Sequence, residues 1–200
     1  PEEEMRARAR RELGLDDNMV VALVPARLHP QKAPMETLKA FSAALDSGAR
    51  RAVLIYAGDG PEREELERAV TAIGLEKPVL ILGKRDDMPE LYNAADVVVL
   101  STLKEGFSNA IVEALCCGKP VIAANVGGNA EALEGGKAGW LHEPGDQEAF
   151  AAQLRAALVN PVDLDRRRVA CRERGMRFSL ARLVDETDRL YRGALEKARR

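Results

Sequence analysis

The sequence predicts an α/β fold: a Rossmann-like, doubly wound parallel sheet of about six strands, with helices on both faces and further helices at the C-terminal end. Two observations carry this prediction. Short apolar runs rich in β-branched residues alternate with stretches of helical character, which is the pattern of βαβ units. The runs are also apolar on both sides, as strands must be when helices cover both faces of a parallel sheet. Composition agrees. Of 200 residues, 46% are hydrophobic and only 4% aromatic, which disfavours an all-β sandwich or barrel.

The elements follow in order. The first dozen residues read as a helix stopped by Gly14. The first strand is 20–24 (VVALV), followed by a helix over 35–44. A second strand at 52–57 (AVLIYA) leads through Gly58-Asp59-Gly60-Pro61 to a helix over 61–73. Pro61 suits a helix start and Gly74 a helix end. Strands at 78–82 and 96–100 flank a helix over 89–94. A helix over 109–117 stops at Gly118 before a strand at 120–123. The last strand is 138–142. Asp146 caps a helix over 146–158, which Pro161 ends. Two more helices cover 163–175 and 180–198. Ligands in such a sheet bind beyond the carboxyl ends of the strands, so the loops after Val24, Ala57, Leu82, Leu100 and Ala123 are the ones to inspect.

Composition narrows the function. Lys and Arg number 30 against 32 Asp and Glu, a net charge of −2, without the basic excess expected of a nucleic-acid binder. The charge is uneven: residues 164–200 carry 12 basic and 6 acidic side chains. No apolar run approaches the ~18 residues of a membrane span. The charged opening, Pro1 to Arg11, is unlike a secretory leader. Three cysteines, Cys116, Cys117 and Cys171, offer no metal spacing and suit a reducing cytoplasm; the adjacent pair is expected to be buried as small hydrophobes.

Three loops carry residues suited to chemistry. Arg27 and Lys32 lie five residues apart after the first strand, two cations able to grip a pyrophosphate from two sides. His29 between them reads as a polar loop residue. After the fourth strand, Glu105 precedes a helix that begins near Ser108, a candidate N-cap, or Asn109. The free amides of that helix start form an anion site, and Gly106 lets a ligand approach the backbone. Glu113 lies about one turn into the helix and can accept hydrogen bonds from ribose hydroxyls. Glu105 can do the same for a second polyol. A phosphate between two hydroxylated groups describes a nucleotide sugar; the equal alternative is that these are acids placed where helix starts favour them. Gly127-Gly128 permits either close backbone approach or a tight turn. No GxGxxG, Walker loop, Ser/His/Asp set or metal cluster is present.

Taken together and in order, Ala26-Arg27-Leu28 with Lys32, Ala57 through Pro61, Leu82-Gly83, Tyr92 through Asp96, Glu105-Gly106-Phe107 with Glu113-Ala114, Gly118 through Val121, and Gly127-Gly128 with Glu131 resemble a known family. They are similar to the C-terminal, nucleotide-sugar-binding domain of the retaining glycosyltransferases of family four, which have the GT-B fold. The resemblance runs from about residue 5 to the end. It implies catalytic roles for Arg27, Lys32 and Glu105: the cations hold the donor diphosphate, and Glu105 holds sugar hydroxyls. It implies donor contacts from Gly106, Phe107, Ser108, Asn109 and Ala110, ribose binding by Glu113, and a base flanked by Lys84 and Arg85. The donor would be a UDP-, GDP- or ADP-sugar, with no cofactor and no metal. Three positions depart from the family: Ala26, Ala33 and Ser108 stand where glycine is usual.

The resemblance also implies what 200 residues cannot hold. Family members pair two such domains, and the first supplies the acceptor site. The expectation is therefore one donor-binding domain over residues 1–200, an excised half or a stand-alone one, with residues 164–200 crossing onto the missing N-terminal domain. Peripheral membrane contact is an expectation for the full-length enzyme only. The alternatives are half of a sugar-nucleotide epimerase or hydrolase, and a non-catalytic interaction domain using the basic C-terminal helix.

Overall fold

The computed structural model describes residues 2–49 and 51–198. Its six strands are β1 (Val20–Val24), β2 (Ala52–Tyr56), β3 (Val79–Ile81), β4 (Val97–Leu100), β5 (Val121–Ala124) and β6 (Gly139–His142). They form one sheet in the order β3-β2-β1-β4-β5-β6, and every neighbouring pair is parallel. The order reverses between β1 and β4. A crevice opens at such a switch point, because the connections on its two sides run to opposite faces.

Nine helices are described: α1 (Glu2–Glu12), α2 (Pro34–Asp46), α3 (Arg63–Ala72), α4 (Met88–Ala94), α5 (Asn109–Cys116), α6 (Asn129–Ala132), α7 (Gln147–Val159), α8 (Pro161–Met176) and α9 (Leu180–Ala198). Alternation along the strands divides the core in two. Ala22, Val24, Leu54 and Tyr56 join Leu38, Phe41, Leu66, Phe150 and Leu154 of α2, α3 and α7. Val21, Leu23, Val53, Ile55 and Val98 join Leu91, Ile111, Leu115 and Cys171 of α4, α5 and α8 on the other face. Successive strand side chains point to opposite faces, so one apolar run supplies both layers.

The expected strands and long helices are present, with bounds shifted by a residue or two. Asp146 caps α7, its carboxylate accepting the Ala149 amide at 2.9 Å. Two proline readings change. α3 begins at Arg63 rather than Pro61, because the Glu62 amide is given to the Leu28 carbonyl in the first loop. Pro161 opens α8 rather than closing α7: Asn160 caps the new helix and Pro161 occupies its first turn. The short α6 went unread, since four residues give no periodicity. The cysteine pair is not buried: Cys116 is exposed and Cys117 partly so, and it is Cys171 that sits in the core.

The last helix differs from the rest. Leu180, Leu183, Val184, Leu190, Tyr191 and Leu195 follow helical spacing along one side of α9, and all are exposed. No helix among the described residues is long and apolar enough to cross a membrane.

Candidate functional site

The first loop is shaped by its own short contacts. Leu28 is fully buried and pins the loop's middle. His29 is a cap: its Nδ1 accepts the Gln31 amide at 3.2 Å, starting a 3-10 turn at Pro30–Lys32. Ala33 then takes φ 46°, ψ 52°, the left-handed conformation that costs a non-glycine residue about 1 kcal/mol. This is one of the positions where the sequence departs from glycine.

The fourth loop is bound to the first. Gln31 accepts the Leu103 amide at 2.8 Å on its carbonyl, and its side chain donates to the Lys104 carbonyl at 2.7 Å. The Ser101 hydroxyl donates to the Ala33 carbonyl at 3.0 Å and meets the Thr37 hydroxyl at 2.6 Å. Thr102 donates to the Gln31 carbonyl at 3.1 Å. These bonds bring Lys32 to Glu105, Nζ to Oε2 at 2.5 Å, across 73 residues of chain. Both side chains are about four-fifths covered.

The paired glycines support the same loop from behind. Gly127 has φ 53°, and a Cβ there would lie 1.9 Å from the Glu105 carbonyl oxygen. The Gly128 amide donates to the Gly106 carbonyl at 2.7 Å. Both readings open for this pair hold: Gly127 and Gly128 are the centre of a turn closed by the Asn129 amide on the Val126 carbonyl at 3.1 Å, and that turn lies directly against the Glu105–Gly106 backbone. The Phe107 ring is turned to packing, 5.5 Å from that of Phe178.

α5 begins at Asn109, so its first-turn amides, including those of Asn109 and Ala110, have no intrahelical acceptor and present the positive end of the helix dipole. Ser108 occupies the N-cap position with extended backbone, but its buried hydroxyl makes no capping bond. Glu113 projects from the next turn. Tyr92 of α4, itself buried, donates its hydroxyl to Glu113 Oε2 at 2.8 Å. Burial, then this bond to Glu113, holds the phenol above its ordinary range.

A cavity of about 380 Å³ joins Arg27, Lys84, Arg85 and Glu113, floored by Ala57 and Gly58. A Cβ at Gly58 would lie 2.0 Å from the Ala26 carbonyl oxygen, so only glycine lets the first and second loops close together there. Arg85 is held by a two-pronged pair with Asp87, Nε to Oδ1 at 2.7 Å. That hydrogen bond raises the Arg85 pKa and lowers that of Asp87. Arg27 has no ion pair with another described residue.

Three of the predicted site residues therefore reach one cavity with Arg27, while Lys32, Glu105 and the start of α5 form the adjoining loop cluster. Gln31, Thr37, Tyr92, Ser101 and Thr102 were missed as site-builders. Tyr92 was within a quoted motif, but its bond to Glu113 depends on how α4 packs against α5. His142 is remote: it is buried and stacked on Phe150 with centroids 4.4 Å apart. No cluster of three or more His, Cys, Asp or Glu among the described residues is placed to hold a metal ion.

The model of the family "Glycosyl transferases group 1" matches residues 5–177. A D-inositol 3-phosphate glycosyltransferase of Saccharomonospora viridis is 32% identical over 200 residues, covering 95% of this chain and 46% of that protein. A UDP-Gal:alpha-D-GlcNAc-diphosphoundecaprenol alpha-1,3-galactosyltransferase of Escherichia coli is 32% identical over 182 residues, covering 90% and 47%. Among solved structures, Anabaena HepE in complex with UDP and glucose superposes with a TM-score of 0.83 at 28% identity, covering 95% of this chain and 52% of that one. The chain thus spans about half the length of the curated relatives it matches.

Proposed function

The chain belongs to the group 1 glycosyl transferases, with a Rossmann-like domain of the GT-B type, and from that premise we propose that it is the donor half of a retaining, metal-independent glycosyltransferase. The observation that carries this reading is the convergence of Arg27, Lys32, Glu105, Glu113 and the start of α5 at the carboxyl edge of β1 and β4. The HepE structure, which holds UDP and glucose on a similar fold, supports a nucleotide-sugar donor and favours UDP as the first nucleotide to test, with GDP and ADP beside it.

In this reading the ribose hydroxyls donate to Glu113, whose free oxygen is set by the Tyr92 bond. Arg27 and Lys32 flank the diphosphate, and the amides at Asn109 and Ala110 face its negative charge. Lys84 and Arg85 border the base. Glu105 receives hydroxyls of the transferred sugar. When the anomeric carbon–oxygen bond breaks, its electron pair passes to the diphosphate oxygen. Fixed cations and helix amides stabilise that charge without reorganising, work that a metal ion performs elsewhere. The Lys32–Glu105 pair holds both side chains in place before the donor arrives.

The acceptor side belongs to a partner domain in this proposal. Coverage of about half of each relative and the uncovered apolar side of α9 support it. Three unpaired thiols suit a reducing compartment such as the cytoplasm.

Calorimetric titration with UDP, GDP and ADP tests the reading. At least one should bind the isolated chain, and Glu113→Ala should weaken that binding. No heat from any of them at millimolar concentration would overturn it.

A further inference from the structure

Phe178 stands at the junction between α8 and α9, and its ring meets the loop that carries Glu105. Its amide donates to the Gly175 carbonyl at 2.9 Å, and α9 starts at Leu180. The junction is fixed to the sheet domain. A Cβ at Gly175 would lie 2.6 Å from the Cys116 amide nitrogen, so α8 is seated directly on the end of α5. Arg174 holds the ring as well. Its guanidinium carbon lies 4.8 Å from the Phe178 ring centroid. Its Nε donates to the Ala132 carbonyl at 3.0 Å and its Nη2 to the Glu131 carbonyl at 2.5 Å, at the end of α6.

The loop side is built in layers. Gly127 and Gly128 support the Glu105–Gly106 backbone, through the 2.7 Å bond from the Gly128 amide to the Gly106 carbonyl. Phe107 covers that turn: a Cβ at Gly128 would lie 2.7 Å from Phe107 Cδ2. Phe178 then meets Phe107 with ring centroids 5.5 Å apart and planes tilted by 57°, an arrangement that favours an aromatic pair. Phe178 is itself half-buried against the α4, α5 and α8 face of the core. Phe107 remains 41% exposed, so its seat is open to solvent and depends on the few groups that close it.

We propose that Phe178 is a positioning residue for the donor loop: by seating Phe107 it fixes the backbone that carries Glu105 and leads into α5. What the loop binds is taken from the donor reading above, on which this rests. In that reading Glu105 and Gly106 lie beside the transferred sugar, whereas Glu113 and Lys84 border the nucleoside. Loss of the Phe178 ring frees Phe107 and the segment around it, and so acts on the sugar half of the donor more than on the nucleotide half. A residue that only covered the core would act on both alike.

Two variants of the full chain test this. Phe178→Leu keeps an apolar side chain without the ring, and Phe178→Tyr keeps the ring. Hydrogen exchange of the unliganded chain reads the loop through the Gly128 amide, with the Leu54 and Val98 amides of the sheet as references. Phe178→Leu should speed Gly128 exchange roughly three- to tenfold, the worth of one aromatic pair, while the references keep their rates. Phe178→Tyr should restore the parent rate. In calorimetry, Phe178→Leu should weaken UDP-glucose binding at least about threefold more than UDP binding, and Phe178→Tyr should not. GDP or ADP and its glucose conjugate replace the UDP pair if that is what the parent binds. An unchanged Gly128 rate, a speed-up shared by the references, or an unchanged preference between sugar conjugate and diphosphate overturns the proposal. A parent chain that binds none of UDP, GDP and ADP overturns the donor reading instead, and the Gly128 rate then still decides whether Phe178 positions the loop.

Discussion

The two edges of one sheet use the same residue types for different work. At the amino edge, Arg6 and Arg10 meet Asp96 under cover, and their remaining donors are taken by carbonyls of Asn93, Ala94, Ala95, Asp17 and Met19. At the carboxyl edge, Arg27 and Lys84 stand exposed on their loops, and Lys32 has one carboxylate partner. Burial and hydrogen-bond saturation, rather than residue identity, separate a cation that holds the fold from one that can hold a ligand.

The largest expected effect falls on the amino edge. Asp96→Asn leaves Arg10, which is 2% exposed, facing an uncompensated charge. It should cost about 3–5 kcal/mol of stability, the usual result of removing one partner of a buried pair. Urea unfolding measures it, and a loss below about 1 kcal/mol would break the contrast between the edges.

The carboxyl edge should respond in the opposite currency. Lys32→Ala should cost less stability than Asp96→Asn, because solvent still reaches both partners of its pair, but should weaken nucleoside diphosphate binding by about 10- to 100-fold, the equivalent of about 1.5–3 kcal/mol for a charge-assisted bond. Calorimetry reads both the affinity and the retained fold. Equal affinities for variant and parent would remove Lys32 from the site.

Tyr92→Phe sharpens the comparison further, because it alters a buried group that serves an exposed one. Loss of one hydrogen bond to Glu113 should cost about 1 kcal/mol in binding, roughly fivefold. The same variant should bind a ribonucleotide and its 2′-deoxy counterpart with more similar affinity than the parent does. An unchanged preference would detach Tyr92 from ribose recognition.

The smallest effect is a pH dependence of His142, the last residue of β6 and outside the donor loops. Burial lowers the His142 pKa in the folded chain, so the unfolded chain takes up the proton first as pH falls. This contribution to stability is fully present above the unfolded pKa of about 6.5 and is lost as pH falls from there through the lower folded value. Thermal unfolding between pH 7.5 and 5.5 should show it, and His142→Phe should flatten that part of the slope. A slope the variant leaves unchanged would assign the loss to other groups.

Much of the fold was legible because its signals are local. Strand runs such as VVALV and helix stops such as Gly74 and Gly118 act within a few residues: both glycines have positive φ, and the residue after each bonds back into the helix. Arg27, Lys32, Glu105 and Glu113 were legible as candidate site residues through their loops and the family resemblance, and the structure brings them to the carboxyl edge of the sheet. The sheet order, the buried Arg6–Arg10–Asp96 group and Lys119 were not, since each depends on partners more than 20 residues away. The cysteine pair was misread because adjacency says nothing about which side of α5 faces the core.

By itself, the sequence determined an alternating α/β chain, charged loops after its strands and a basic C-terminal segment, because apolar periodicity, turn residues and loop composition are written within short windows. Only the tertiary structure decided that β1 and β4 lie side by side, so that Lys32 meets Glu105 across 73 residues. The physical reason is that crossover connections choose strand neighbours through packing on both faces of the sheet. No short window of residues contains that choice.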